Sequence, residues 1–574
     1  MYPIEACQND IKNELRKLLT SYQFTDDIRL DVPPQGLGDF AFPCFPLASL
    51  AKKAPAVIAQ ELAQKIPRTS WILKAEAHGP YVNFYIDVKS LAVSVLSAVF
   101  EKKERYGYLP SKHKKVIIEH TSANPNGPLH VGRARNPIIG DTLVRLFKAA
   151  GYHVESQFYL DDMGKQVAIL TWGINNIPPQ NIPKADHAKP DHQYVGFYQQ
   201  AHERMTTDDS VEAAVNELVK NSERGDQHTL KMIHTAYTPV LKGIQESLSR
   251  INITIDTYIP ESTFVKDKSV EQVVDALQHT TYCHEEDNAY YLDMEPFHVH
   301  GKNTKFFFLR SDGTTLYATR DIAYHLWKAR NAQLLVNILG EDHRLESTQV
   351  AIALQLLKEK TLPQVVFYAF VSLPGGKMST RKGRVVYLDD LIDECIERAY
   401  EEVKKRRAQD LTEEQMRHIA EIVGIGSLRY NIIKVQPEKD IVFRWEDALN
   451  FEGNAVPFIQ YAHARASSIL TKTHETHEKI DASCLKHPSE IMLIKQLASL
   501  PGIIEDACNG CKPHLLANYL YDTASAFNQF YRDCPVLVEE DTSLREARIA
   551  LVKATKIVLH TALNLLGITA PEEM

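Results

Sequence analysis

His130 and Gly132 stand at the junction of a loop and a helix, in Asn124-Pro125-Asn126-Gly127-Pro128-Leu129-His130-Val131-Gly132-Arg133. The turn dipeptides Asn-Pro, Asn-Gly and Gly-Pro mark the loop. Ile138, Ile139, Leu143, Leu146, Phe147 and Ala150 recur at helical spacing after it, and Gly151 sits where a C-cap belongs. A helix N-terminus carries unpaired N–H groups and a dipole that favours an anion. A histidine there adds a side-chain hydrogen bond, and a glycine lets a ligand come close to the backbone. The combination suits a phosphate. Asp161-Asp162 forms a second polar concentration, directly after a strand-like run over residues 153 to 160. Carboxylates at a strand's C-terminal end lie where open α/β sheets bind ligands.

Around these residues the chain alternates. Residues 116 to 120 read as a buried strand, so 116 to 151 form the first half of a βαβ unit. Further strands are expected at 289–292, 305–309, 334–339 and 365–371, with a hairpin joining 305–309 to 316–319. Arg320-Asp321 is expected to open a helix. A charged glycine loop, Gly375-Gly376-Lys377-Met378-Ser379-Thr380-Arg381-Lys382-Gly383, follows the last strand, and from about 387 onward the pattern is helical. Before the βαβ unit, helices at 4–20 and 54–65 and a strand at 81–86 form a small α+β domain. The expected division is an N-terminal α+β domain at 1–110 and a Rossmann-type parallel-sheet domain at 111–400, interrupted by an insertion at about 172–290. A helical connector at 401–450 and an all-α bundle at 451–574 complete the multidomain α/β chain.

A chain of 574 residues is too long for one hydrophobic core. No apolar run approaches the ~20 residues that span a bilayer, and the first residues lack the basic and apolar regions of a signal peptide. Eight cysteines, thinly spread, fit reduced thiols in a cytoplasmic protein. The net charge of −8 argues mildly against nucleic acid. Local basic clusters such as Lys404-Lys405-Arg406-Arg407 still permit it.

Pro128-Leu129-His130-Val131-Gly132 resembles the HIGH signature of class I aminoacyl-tRNA synthetases. Lys377-Met378-Ser379, about 250 residues later, resembles their KMSKS loop. The run from Ser122 to Asn136 resembles the arginyl-tRNA synthetases almost residue by residue. So do residues 159–166, Tyr317-Ala318-Thr319-Arg320-Asp321, and residues 451–454 with 461–465. The Gly38–Pro43 segment and the last ten residues are similar to that family's N-terminal domain and C-terminus.

The resemblance implies a monomeric arginine–tRNA ligase that uses ATP with Mg²⁺, and L-arginine and tRNA(Arg) as partners. His130, Gly132, Lys377 and Ser379 would be catalytic. Pro128, Asn136 and Met378 would join them in binding ATP. Activation builds charge on the α-phosphate and pyrophosphate, so positioning and charge neutralisation carry the rate. Glu119, Ser122, Asn124, Tyr317, Asp321 and Glu341 would bind arginine. The two carboxylates Glu119 and Asp321 suit a guanidinium, which has five donors, no acceptor and a permanent charge. Phe40, Tyr461, Arg465, Asn528 and Tyr531 are candidate tRNA contacts, as aromatics that stack bases and groups that bind phosphate. Two positions depart from the family pattern: Arg133 replaces the second HIGH histidine, and Thr380 the second KMSKS lysine. The alternatives are a catalytically inactive tRNA-binding paralogue and a class I synthetase for another amino acid.

Overall fold

The computed structural model describes residues 1–34, 36–299, 304–372, 386–450, 452–473 and 480–574. Five strands form a parallel sheet in the spatial order Pro363–Tyr368, Leu334–Gly340, Lys115–Glu119, His153–Leu160, Thr257–Pro260. The sheet grows outward from Lys115–Glu119 in one direction by two strands, then in the other by two. That reversal is the topological switch point at which open α/β sheets open a crevice. Val116, Ile117 and Ile118 are all buried, as expected for a central strand covered on both faces. The helix Arg135–Ala149 follows and buries Ile138, Ile139, Leu143, Leu146 and Phe147. Gly151 then takes φ +88°, a left-handed conformation that a side chain would strain.

Three expectations are corrected here. Thr257–Pro260 is the edge strand of the parallel sheet, so the sheet resumes inside the stretch 172–290 expected as one insertion. Four residues ending in proline are too few to show a period. The strand at 289–292 is real but belongs to a separate antiparallel sheet, Cys283–Glu286, Ala289–Asp293 and Lys305–Leu309. Residues 316 to 319 form no hairpin strand, because a helix runs from Tyr317 to Asn331. Burial of Ala318, Ile322, Ala323 and Tyr324 in one cluster outweighs the local β propensity.

The N-terminal region packs the helix Pro3–Leu19 through Cys7, Ile11, Leu15 and Leu19. Its sheet is antiparallel, in the order Phe40–Pro43, Tyr81–Ile86, Ile72–His78. Four long helices dominate the C-terminal region: Val456–Thr471, Pro488–Asn509, His514–Asp533 and Thr542–Leu565. No helix among the described residues is long and apolar enough to cross a membrane.

One buried guanidinium joins distant parts of the chain. Arg429 donates to Leu566 O (2.8 Å), Ile251 O (2.6 Å) and the Asp141 carboxylate (2.5 Å). It thereby ties the helix that follows the phosphate-type loop to the C-terminal bundle. Gly567 packs so closely on this guanidinium that a Cβ there would overlap it.

His120 closes the end of the central strand against the same helix. Burial pushes its imidazole down to about 4, well below the ~6.5 of an exposed histidine. The unfolded chain therefore binds a proton that the folded chain refuses, and stability falls as pH drops from about 6.5 toward about 4. The loss is on the order of 2–3 kcal/mol. Urea midpoints at neutral and mildly acid pH should separate in the wild type and lie closer together in His120→Asn.

Candidate active site

Beyond Glu119 the backbone turns through Thr121 at φ +72° and Ser122 at φ +36°. A β-branched residue in this region is strained, and such strain gathers at functional sites. Asn136 holds the turn. Its Oδ1 accepts from Thr121 N (2.6 Å) and its Nδ2 donates to Ile338 O (2.9 Å), bridging the two strand ends at the switch point. Asn136, expected to contact ATP, thus spends its amide on the backbone of the crevice. Ser122 Oγ accepts from Tyr159 N (3.1 Å) and donates to Glu119 Oε1 (3.3 Å).

Above this edge lies a cavity of about 850 Å³. Glu119, Ser122, Asn124, Asn136, Tyr317 and Asp321 all line it, as does Arg133. The corrected helix explains how: Tyr317 and Asp321 are one turn apart at its N-terminal end. Tyr317 donates to the Glu346 carboxylate. Burial works to raise the Asp321 carboxyl, but His325, Lys328 and His343 outweigh it and hold the group below the usual carboxylate range. Glu341 is exposed and is not part of the wall, whereas Asp342, His343 and Glu346 from the same turn and the next helix are. At the far end, Arg320 Nε donates to Glu261 Oε1 at 2.6 Å.

His130 caps the short turn Val131–Arg133, its Nδ1 accepting from Gly132 N at 3.1 Å. Burial, with the Arg133 charge adding to it, pushes the imidazole below its usual value. The ring is therefore neutral near pH 7, with its proton on Nε2. Pro128, His130 and Gly132 do not line the cavity. Their segment is bonded instead to the chain at 386–388: Val131 N donates to Val386 O (3.1 Å) and Leu388 N to Leu129 O (2.7 Å). Lys377, Met378 and Ser379 lie outside the described residues. The segment before them, Val371–Ser372, pairs with Ile441–Val442.

Tyr461, Arg465, Asn528 and Tyr531 converge on a second cavity, with Arg406, Arg407 and Met574 in its wall. The Arg465 guanidinium lies 4.7 Å from the Tyr461 ring and 5.2 Å from the Tyr531 ring, and donates to Asn528 Oδ1 at 2.6 Å. Phe40 is a correction: it is 6% exposed and packs the N-terminal core, so its ring offers no stacking face. Phe45, 53% exposed and edge-on to Tyr81, is the ring presented nearby. Sequence reasoning also missed His325 and Lys328, which lie beneath the first cavity on the helix that carries Asp321. The spacing 321, 325, 328 was a signal, but three charged residues on one helical face usually mean a solvated face.

A parallel sheet with its crevice at the switch point, a histidine-glycine loop beside it and a helical bundle behind is the architecture of a class I aminoacyl-tRNA synthetase. The family described as "tRNA synthetases class I (R), catalytic domain" matches residues 95–445. The "Arginyl tRNA synthetase N terminal domain" matches 5–86 and the "DALR anticodon binding domain" 459–574. An arginine–tRNA ligase of Methanocella arvoryzae is 47% identical over 92% of each chain. That of Methanococcus aeolicus is 40% identical over 97% of each. The solved arginyl-tRNA synthetase of Thermus thermophilus superposes with a TM-score of 0.82, at 27% identity, over 98% of this chain and 99% of its own. The chain belongs to the arginyl-tRNA synthetase family.

Proposed function

We propose that this protein joins L-arginine to tRNA(Arg). ATP and arginine give arginyl-adenylate and pyrophosphate, and the arginyl group then passes to the 3′-terminal adenosine of the tRNA. The observation that carries this reading is the convergence of Glu119 and Asp321 on one cavity, at the switch point and beside the His130 loop. The cavity supports Glu119, Asp321 and Tyr317 as the pocket for the guanidinium, with Ser122 and Asn124 toward the amino-acid backbone. His130 donates from Nε2 to the phosphates, Gly132 leaves room for the nucleoside, and Lys377 with Ser379 neutralises the leaving pyrophosphate. Arg465, between Tyr461 and Tyr531, offers a charged and aromatic pocket for an unstacked tRNA base.

Mg²⁺ enters as the counter-ion of ATP. Among the described residues, Asp191, His192 and Asp389 bring three ligand-type atoms together. That cluster already holds a cation, because Asp389 accepts from Lys189 Nζ (2.7 Å), Ser247 (2.9 Å) and Arg250 (2.9 Å). It does not fit a dedicated ion site.

The test is aminoacylation of bulk tRNA with each of the twenty labelled amino acids. Arginine alone should be charged; charging with a different amino acid, or none, overturns the reading. In the same assay Asp321→Asn should raise KM for arginine about 10- to 100-fold, the worth of a hydrogen bond to a charged group, with KM for ATP nearly unchanged.

A further inference from the structure

A buried cation lies beneath the two carboxylates assigned to the guanidinium. The Lys328 side chain has no exposed surface. Its three ammonium protons meet three acceptors: Glu119 Oε2 at 2.6 Å, Asn337 Oδ1 at 3.1 Å and His325 Nε2 at 3.2 Å. Its Nζ stands 4.1 Å from the centre of the Tyr324 ring. His325 Nε2 also accepts from Asn337 Nδ2 at 2.7 Å. The ring proton therefore sits on Nδ1, which donates to Asp321 O at 2.8 Å and faces the Asp321 carboxylate at 3.2 Å. One chain of polar contacts thus runs Asp321–His325–Lys328–Glu119, with His325 Nε2 shared between Lys328 and Asn337.

We infer that Lys328 is a positioning and specificity-determining residue of the amino-acid pocket. It sets a positive charge against Glu119, fixes one carboxylate oxygen and leaves Oε1, beside Ser122, for the substrate. The inference rests on the reading of Glu119 and Asp321 as guanidinium ligands. Two carboxylates facing one crevice repel each other, and without help one of them takes up a proton. A protonated carboxyl has lost an acceptor that the guanidinium needs. With one internal cation, the pair carries a net charge of −1, equal and opposite to that of arginine. The charged or titratable groups facing this pair include Tyr317, Tyr324 and His325 on the same helix, Tyr159 on the neighbouring strand, and His343 opposite Asp321. Asn337 supplies the remaining polar contact.

The experiment measures kcat and KM for arginine and for ATP in full-length protein charging tRNA, between about pH 6 and 9, the range in which histidines and raised carboxylates titrate. Lys328→Met should raise KM for arginine about 10-fold or more and make it worsen as pH falls, while KM for ATP stays within about twofold. Lys328→Arg keeps the charge and should recover the flat profile. The double variant Glu119→Gln/Lys328→Met leaves no orphan charge, so it should fold even where the single variant does not. Its arginine KM should be raised but independent of pH. A pH-independent KM in folded Lys328→Met overturns the inference. Equal losses in kcat and in both KM values would also do so, since they mean that Lys328 only packs. If Lys328→Met does not fold, a pH-dependent KM in the double variant is the overturning result. Glu119→Gln alone separates the two readings. An unchanged arginine KM there removes Glu119 from the pocket, whereas a raised one beside a silent Lys328→Met removes only the coupling.

Discussion

Replacing His130 with alanine should lower kcat for arginine activation about 10²- to 10³-fold, with KM for arginine within about threefold of wild type. The expectation follows from how the imidazole is held. Nδ1 is committed to Gly132 N, and the ring is neutral because burial and the nearby Arg133 disfavour its charge. One donor, Nε2–H, is left, fixed in direction before substrate arrives. A preset donor aimed at developing phosphate charge contributes most in the transition state, so its loss falls on kcat rather than on binding. Alanine also deletes a cap worth about 1 kcal/mol. His130→Asn separates the two effects, since asparagine caps well but does not reproduce the ring's reach. It should match the wild type in thermal midpoint while remaining slow. Single-turnover rates of adenylate formation read the chemistry directly, and near-wild-type turnover in His130→Ala would exclude the residue from the phosphate site.

The largest expected loss of stability comes from Arg429→Met, about 3–5 kcal/mol, the usual result of removing one partner of a buried ion pair. The guanidinium serves three segments at once, so its removal orphans the Leu566 and Ile251 carbonyls and half of the charge balance at Asp141. Arg145 remains within 2.8 Å of Asp141 and limits the damage. Urea midpoints provide the measurement. Asp141→Asn combined with Arg429→Met should be more stable than Arg429→Met alone, because no buried carboxylate stripped of one of its two guanidinium partners is then left inside. A double variant as unstable as the single one would locate the loss in the carbonyls instead.

The first half of the βαβ unit was legible because three independent signals agree over residues 116 to 151: an apolar run, turn dipeptides, then a helical period closed by glycine. That Glu119 and Asp321 would meet at one cavity was legible because the motifs around them are contiguous in sequence. Thr257–Pro260 was not, because an edge strand of four residues is defined by the neighbour it pairs with rather than by its own pattern. The helix at Tyr317 was hidden by a β-rich run that is overruled only once Ala318 and Ile322 find their cluster. Lys328 was hidden for a related reason. A lysine is rarely buried, and only the meeting of two elements at Glu119 and Asn337 supplies the acceptors that make burial tolerable. Phe40 failed in the opposite direction: its aromatic character was visible, but the direction in which its ring points was not.

The contact between Arg429 and Asp141 also bears on the order in which the molecule can finish folding. The two residues are 288 positions apart, a separation that a ribosome covers in roughly 15–60 s at ordinary elongation rates. The helix Arg135–Ala149 emerges early, yet the guanidinium that neutralises its buried carboxylate arrives late, and the Leu566 carbonyl that positions that guanidinium arrives later still. The Asp141 carboxylate on that early helix therefore lacks its Arg429 partner until a segment 288 residues further on has been made.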